Sequence, residues 1–196
     1  MDNKTALYKL KSIEDGMWAS VSYPRVFMRE GTTGPDRLRI GVPALTLEPI
    51  LALLELMPEP FILLYVLHTP RGAEPGRYQS PEFTHEQVLA CFAEFGEFFM
   101  RDSRHDIWIH SFPADNTLVW DRHNVLYAYD LLDAFSSKLK SIGYGNGDIN
   151  IPFPHTHYYH KEFDGQQETL LEKYDWYRTE LMPADIQERE KRTSLQ

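Results

Sequence analysis

A single cysteine, Cys91, is all the sequence offers, so no intrachain disulfide can staple the chain and the fold must rest on a packed core. Long apolar runs are missing too. The most apolar stretch, Leu45 to Leu67, is broken by Glu48, Pro49, Glu55, Pro58, Glu59 and Pro60, whereas a bilayer span needs about 18 or more uninterrupted apolar residues. Met1 to Gly16 holds no apolar segment of the secretory type, which points to the cytoplasm. Positive charge is scarce: Lys+Arg number 20 against 29 Asp+Glu, a net charge of −9. Duplex DNA and anionic membranes call for clustered cations, so neither is an expected partner, and a basic protein partner stays open. No repeat, low-complexity tract or Gly/Pro-rich linker divides the chain. At roughly 150 residues per domain, the expectation is one globular domain over 1–183 and a charged, apolar-poor tail over 184–196.

What is present is a mixture of strand and helix signals. Met17–Tyr23 and Leu38–Val42 read as short strands. Leu47–Met57 is apolar nearly all round and reads as a buried helix stopped by Pro58 and Pro60. Phe61–Leu67 is a continuous β-prone run, as in a central strand covered on both faces. A polar loop over Arg71–Pro81 precedes a helix whose start is marked by Thr84 and Gln87, a T-x-x-Q capping box with Phe83 as its staple. Val88, Phe92, Phe95 and Phe99 carry its apolar stripe. Ile107–Phe112 reads as a strand, and Thr117–Asp121 with Val125–Tyr129 as a hairpin around Asp121-Arg-His-Asn124. Leu132, Phe135, Leu139 and Ile142 mark another helix, closed by Gly143. Asp148–Phe153 is a strand candidate confined to an edge by Pro152 and Pro154. A last helix begins near Asp164 and carries Leu170, Tyr174, Tyr177 and Leu181 before Pro183. The sum is an α+β fold: a mixed or mostly antiparallel sheet packed with three to four helices.

Three of the eight histidines crowd into Pro152-Phe-Pro-His-Thr-His-Tyr-Tyr-His160. On an extended chain residues i and i+2 share a face, so His155 and His157 can offer two imidazoles to one ion. His160 joins only if the chain turns after Tyr158. Glu162, Asp164, Asp148 and the distant Asp121 or His123 are further donors, and two or three His with a carboxylate would suit Zn or Fe. The segment is similar over about ten residues to the H-x-H-x-D-H motif of metallo-β-lactamase-like hydrolases, aligning His155, His157 and His160 with Tyr159 in place of the aspartate. It is also similar to the cupin H-x-H motif with its following glutamate, here His155, His157 and Glu162. The first family needs its motif earlier and further ligands downstream; the second needs strands where a helix is expected here. The rest of the chain therefore supports neither.

Two other places carry chemistry. The hairpin turn sets Asp121 as an orienting carboxylate beside His123 as a base, although Asp and Asn also suit turns for their local hydrogen bonding. Arg77, in the loop Gly76–Pro81 ahead of a helix, can take a carboxylate or phosphate. No G-x-S-x-G, Walker A or H-E-x-x-H motif occurs, and Cys91 reads as core. Tyr174, Trp176 and Tyr177 among Glu172 and Asp175 form an acidic aromatic surface of the kind that captures basic proteins. The expected function is accordingly a small acidic binding protein of the immunity or inhibitor type, needing no cofactor. The alternative is a metal-dependent hydrolase or oxygenase built on His155, His157, His160 and Glu162.

Overall fold

A computed structural model of the chain describes residues 7–69 and 71–185. Strands β1 (Leu10–Glu14), β2 (Met17–Ser20), β3 (Val26–Glu30) and β4 (Arg37–Gly41) come first, then helix α1 (Glu48–Leu54). Strand β5 (Phe61–Leu67), β6 (Gly76–Phe83), helix α2 (His85–Arg101), β7 (His105–Ser111), β8 (Asn116–Trp120), β9 (Val125–Tyr129) and helix α3 (Leu132–Ser141) follow. The chain continues through β10 (Gly145–Asn146), β11 (His155–His157), helix α4 (Asp164–Lys173) and β12 (Tyr177–Thr179).

Nine strands form one sheet in the order β10-β3-β4-β9-β8-β7-β5-β6-β12, and three form a second, β11-β1-β2. Every pairing is antiparallel except β10 with β3. The fold is the expected α+β arrangement, with four α-helices among the described residues. Alternation decides the faces of the large sheet. Leu38, Ile40, Phe61, Leu63, Ile107, Ile109, Leu118 and Leu126 point one way and join apolar residues of all four helices in a single core. The opposite face presents Arg37, Arg39, Trp108, His110, Tyr127 and Tyr129, all partly exposed, and the small sheet caps its end at the β8–β9 turn.

The capping box forms as read: Thr84 Oγ1 accepts from Gln87 N at 3.3 Å and Gln87 Oε1 accepts from Thr84 N at 2.8 Å. Gly143 closes α3 at φ +89°. Gly41 is needed for room, because a Cβ there would meet the Tyr23 Cβ at 2.8 Å.

Four readings are corrected. Arg71–Pro81 is not one loop: Gly76–Phe83 is strand β6, whose register shifts opposite Ile62 and Leu64. Ser80 and Pro81 lie at that irregularity, where a proline is tolerated in a sheet, and Ser80 Oγ accepts from Leu63 N at 2.9 Å in place of a ladder bond. β5 is covered on both faces only along its second half; Ile62 and Leu64 are partly exposed. Asp148–Phe153 forms no strand, and pairing begins at His155 instead. The last helix stops at Lys173, because Trp176 folds back to donate to the Leu170 carbonyl at 2.9 Å and Tyr177–Thr179 pair with the free edge of β6. Of the tail expected over 184–196, Ala184 and Asp185 complete a short 3-10 turn that begins at Pro183, with Asp185 held by Arg77, and 186–196 lie outside the described residues.

Candidate metal centre

The β8–β9 turn is built by one carboxylate. Asp121 Oδ1 accepts from the backbone N–H groups of His123 and Val125, each at 2.9 Å, and Oδ2 accepts from His123 Nδ1 at 3.1 Å. A carboxylate cannot donate here, so His123 carries its proton on Nδ1 and leaves the Nε2 lone pair free. Arg122 N donates to Asp106 Oδ1 at 2.7 Å, which ties the turn to β7.

The partner surface comes from β11. Register with β1 sets His155 against Ser12 and His157 against Leu10, so the two imidazoles share a face. That face meets the β8–β9 turn. The ring centres of His123, His155 and His157 lie 4.8–5.3 Å apart in mutually steep orientations. One ring nitrogen from each falls within 4.8 Å of the other two. His155 Nδ1 donates to the Pro152 carbonyl at 2.8 Å, again freeing Nε2. His157 is different: neither of its buried ring nitrogens has a hydrogen-bond partner among the described residues. Burial, with the Arg122 guanidinium nearby, pushes that imidazole down to about 3, so it is neutral and able to ligate at any physiological pH.

The geometry can be compared with what an ion requires. Zinc bonds imidazole nitrogen at about 2.0–2.1 Å, which puts each ring centre about 3.2 Å from the ion and tetrahedral neighbours about 5.2 Å apart. The observed spacings bracket that value. Asp121 and the Pro152 carbonyl occupy the outer positions that orient metal-binding histidines in known sites.

The other residues singled out in the sequence lie elsewhere. His160 is not part of the group: Tyr158 N bonds the Lys9 carbonyl and His160 N donates to Asp102, turning its ring to donate through Nε2 to the Tyr8 carbonyl at 2.9 Å. Glu162 sits exposed in a 3-10 turn. Asp164 is engaged by Arg71 and Arg104, each at 2.9 Å. Arg77 lies on β6, paired with Asp185 at 2.8 Å and stacked 5.0 Å from the Trp108 ring, so its charge is already matched. Tyr174 packs on Phe83 and Trp176 on Tyr65. Tyr177 stays exposed on β12, with Glu172 and Asp175 exposed nearby in sequence. Burial pushes the Cys91 thiol up to about 12, consistent with a core role.

One residue that sequence reasoning passed over stands beside the centre. Lys9 is almost fully buried, its ammonium 4.1 Å over the Trp120 ring and donating to the Asp121 carbonyl at 3.2 Å. Burial lowers it to about 8 against the pull of Asp121. No sequence signal marked it, because its surroundings are assembled from distant strands. Comparison with models of known protein families, with curated proteins and with solved structures finds no match to this chain.

Proposed function

We propose that the chain is a zinc-dependent hydrolase whose ion is held by His123, His155 and His157. The observation that carries this reading is His157: a buried neutral imidazole with both nitrogens unpaired, facing two histidines whose own tautomers leave Nε2 free. An unpaired buried polar group costs roughly 1–3 kcal/mol, and an ion between the three rings would remove that cost. Three histidines without a carboxylate ligand favour zinc over the two-His-one-carboxylate arrangement of non-haem iron, since Asp121 is taken up in orienting His123. With three protein ligands a fourth position would stay open, and a zinc ion held there would supply a bound water with a pKa near 7. The binding-protein alternative keeps less support, because Tyr174 and Trp176 spend their faces on the core.

Metal analysis of the purified full chain after zinc loading and dialysis tests the reading. One zinc per chain is expected in the wild type and none in His157→Ala. Zinc-dependent cleavage of 4-nitrophenyl acetate should rise with pH around 7 and vanish in that variant. Zinc retention indifferent to His157→Ala would overturn the assignment, as would a loaded protein without esterase activity above that of the variant.

A further inference from the structure

The two halves of the three-histidine centre come from different sheets, and one residue reaches both. Lys9, immediately before β1, is 4 % exposed. Its carbonyl accepts from Tyr158 N at 3.1 Å, directly after His157, and from Ser103 Oγ. Its ammonium points the other way, over the Trp120 ring, and donates to the Asp121 carbonyl at 3.2 Å. Asp121 opens the turn that carries His123 and orients that ring through its carboxylate. Lys9 thus holds the strand of His155 and His157 by its backbone and the turn of His123 by its side chain.

The fold has no evident need of the charge. The Asp121 carbonyl also accepts from Asn124 N at 3.0 Å. The carboxylates facing Lys9 each have donors of their own. Asp121 accepts from the turn amides and His123, and Asp106 from His68 and Arg122 N at 2.7 Å each. Asp102 accepts from Arg104 and from His160 N. Removing the ammonium would therefore orphan none of these acceptors, whereas keeping it buried is unfavourable. Burial holds Lys9 down to about 8 despite the three acids. An apolar side chain of similar length would fill the same space without that penalty. A buried charge that breaks the rule for cores without a structural return is a mark of a functional position.

We propose that Lys9 is the positioning residue of the three-histidine centre, clamping the β8–β9 turn to the chain ahead of β1 so that His123 stays within reach of an ion shared with His155 and His157. The inference rests on reading that centre as the zinc site. Groups that orient metal ligands typically change metal affinity roughly 10–100-fold when lost. Lys9 acts one residue further out, through Asp121, so a fall of about tenfold is expected.

Lys9→Met in the full chain keeps the backbone carbonyl and the apolar stem and removes the ammonium alone. Three measurements on it and the wild type separate positioning from folding. Zinc affinity, by competition with a chromophoric chelator, should fall about tenfold in the variant. In the zinc-free chain, the nuclear Overhauser contact between the His123 and His157 rings, whose centres lie 4.8 Å apart, should be present in the wild type and weakened in the variant. The urea midpoint of the zinc-free variant should equal or exceed that of the wild type, a result that a merely structural lysine would not give. Equal zinc affinity with an unchanged ring contact overturns the proposal, and so does a lowered zinc-free midpoint, which would make Lys9 a residue of the fold. A wild type that takes no zinc, with the ring contact still lost in Lys9→Met, would leave the positioning role standing and remove the zinc reading alone.

Discussion

His105 and Arg104 stand side by side at the start of β7, and both are fully buried. His105 is caged by Tyr65, Phe98 and Phe99 at 4.7–5.3 Å. Burial, then the charges of Lys9 and Arg104, holds its imidazole well below the ordinary histidine range. The native state therefore keeps His105 neutral while the unfolded chain protonates it near pH 6.5. Below that pH the unfolded state binds the extra proton, so stability falls with falling pH by about 1.4 kcal/mol per unit for this one group. Above pH 7 the group contributes nothing to the slope. Urea midpoints between pH 6 and 5 should show this loss, and His105→Leu should flatten the curve by about one proton's worth. Arg104 donates to both Asp102 oxygens, to Asp164, to Gln167 and to the His160 carbonyl. Arg104→Met leaves Asp102 buried without its counter-charge, and a loss of about 3–5 kcal/mol is expected in denaturant unfolding. At this scale the centre was partly legible: the i, i+2 spacing of His155 and His157 declared a shared face. His123 was visible only as one distant donor among several, since nothing local says that the β8–β9 turn meets β11. His160 was drawn into the group by proximity in sequence, and the Tyr158 and Asp102 hydrogen bonds that turn it away come from distant residues.

Elements whose signals are local were legible, and those defined by partners were not. Phe61–Leu67, the Thr84 cap and the hairpin around Asp121–Asn124 each carry their own periodicity or turn chemistry. Strand β6 does not, because Gly76-Arg-Tyr-Gln-Ser-Pro-Glu-Phe83 is polar and contains a proline. It is a strand because β5 and β12 flank it. Its irregularity gives a sharp test. Ser80 Oγ accepts from the Leu63 amide and donates to the Pro81 carbonyl at 2.7 Å, and Ser80 is buried. Ser80→Ala leaves that amide unpaired in the sheet and should cost about 1–3 kcal/mol. Thr84→Ala, which removes one exposed capping bond from α2, should cost only about 1 kcal/mol. Comparing the two in one denaturation series checks that the inconspicuous strand residue outweighs the conspicuous cap. The C-terminal segment teaches the converse point. The helical spacing of Leu170, Tyr174 and Tyr177 is genuine, yet of the three Leu170 alone lies in α4, because the rings beyond it are placed by a reversal and an edge pairing that periodicity cannot anticipate.

For the whole molecule, the three histidines join two sheets that otherwise meet through a modest set of contacts. His155 and His157 belong to the small sheet and His123 to the turn of the large one. The small sheet is further anchored by Ser103, which bonds the Lys9 and Tyr158 carbonyls, and by Lys9 on Asp121. The main core lies on the other face of the large sheet and contains none of these histidines. An ion bound to the native state alone adds about 2.7 kcal/mol when it is present at 100 times its Kd. For a chain of this length that corresponds to a rise in Tm of roughly 5–10 °C. Because the core is independent of the clip, the chelated protein should remain folded, with its added amide exchange concentrated in β1, β2 and β11. Zinc should raise Tm and slow exchange in those strands, and chelator should reverse both. His160→Ala separates the spatial group from the sequence cluster: it should keep the full zinc-induced shift, whereas His123→Ala and His157→Ala should abolish it. A shift lost in His160→Ala and kept in His123→Ala would mean that the ion is held within the 155–160 segment and does not bridge the two sheets.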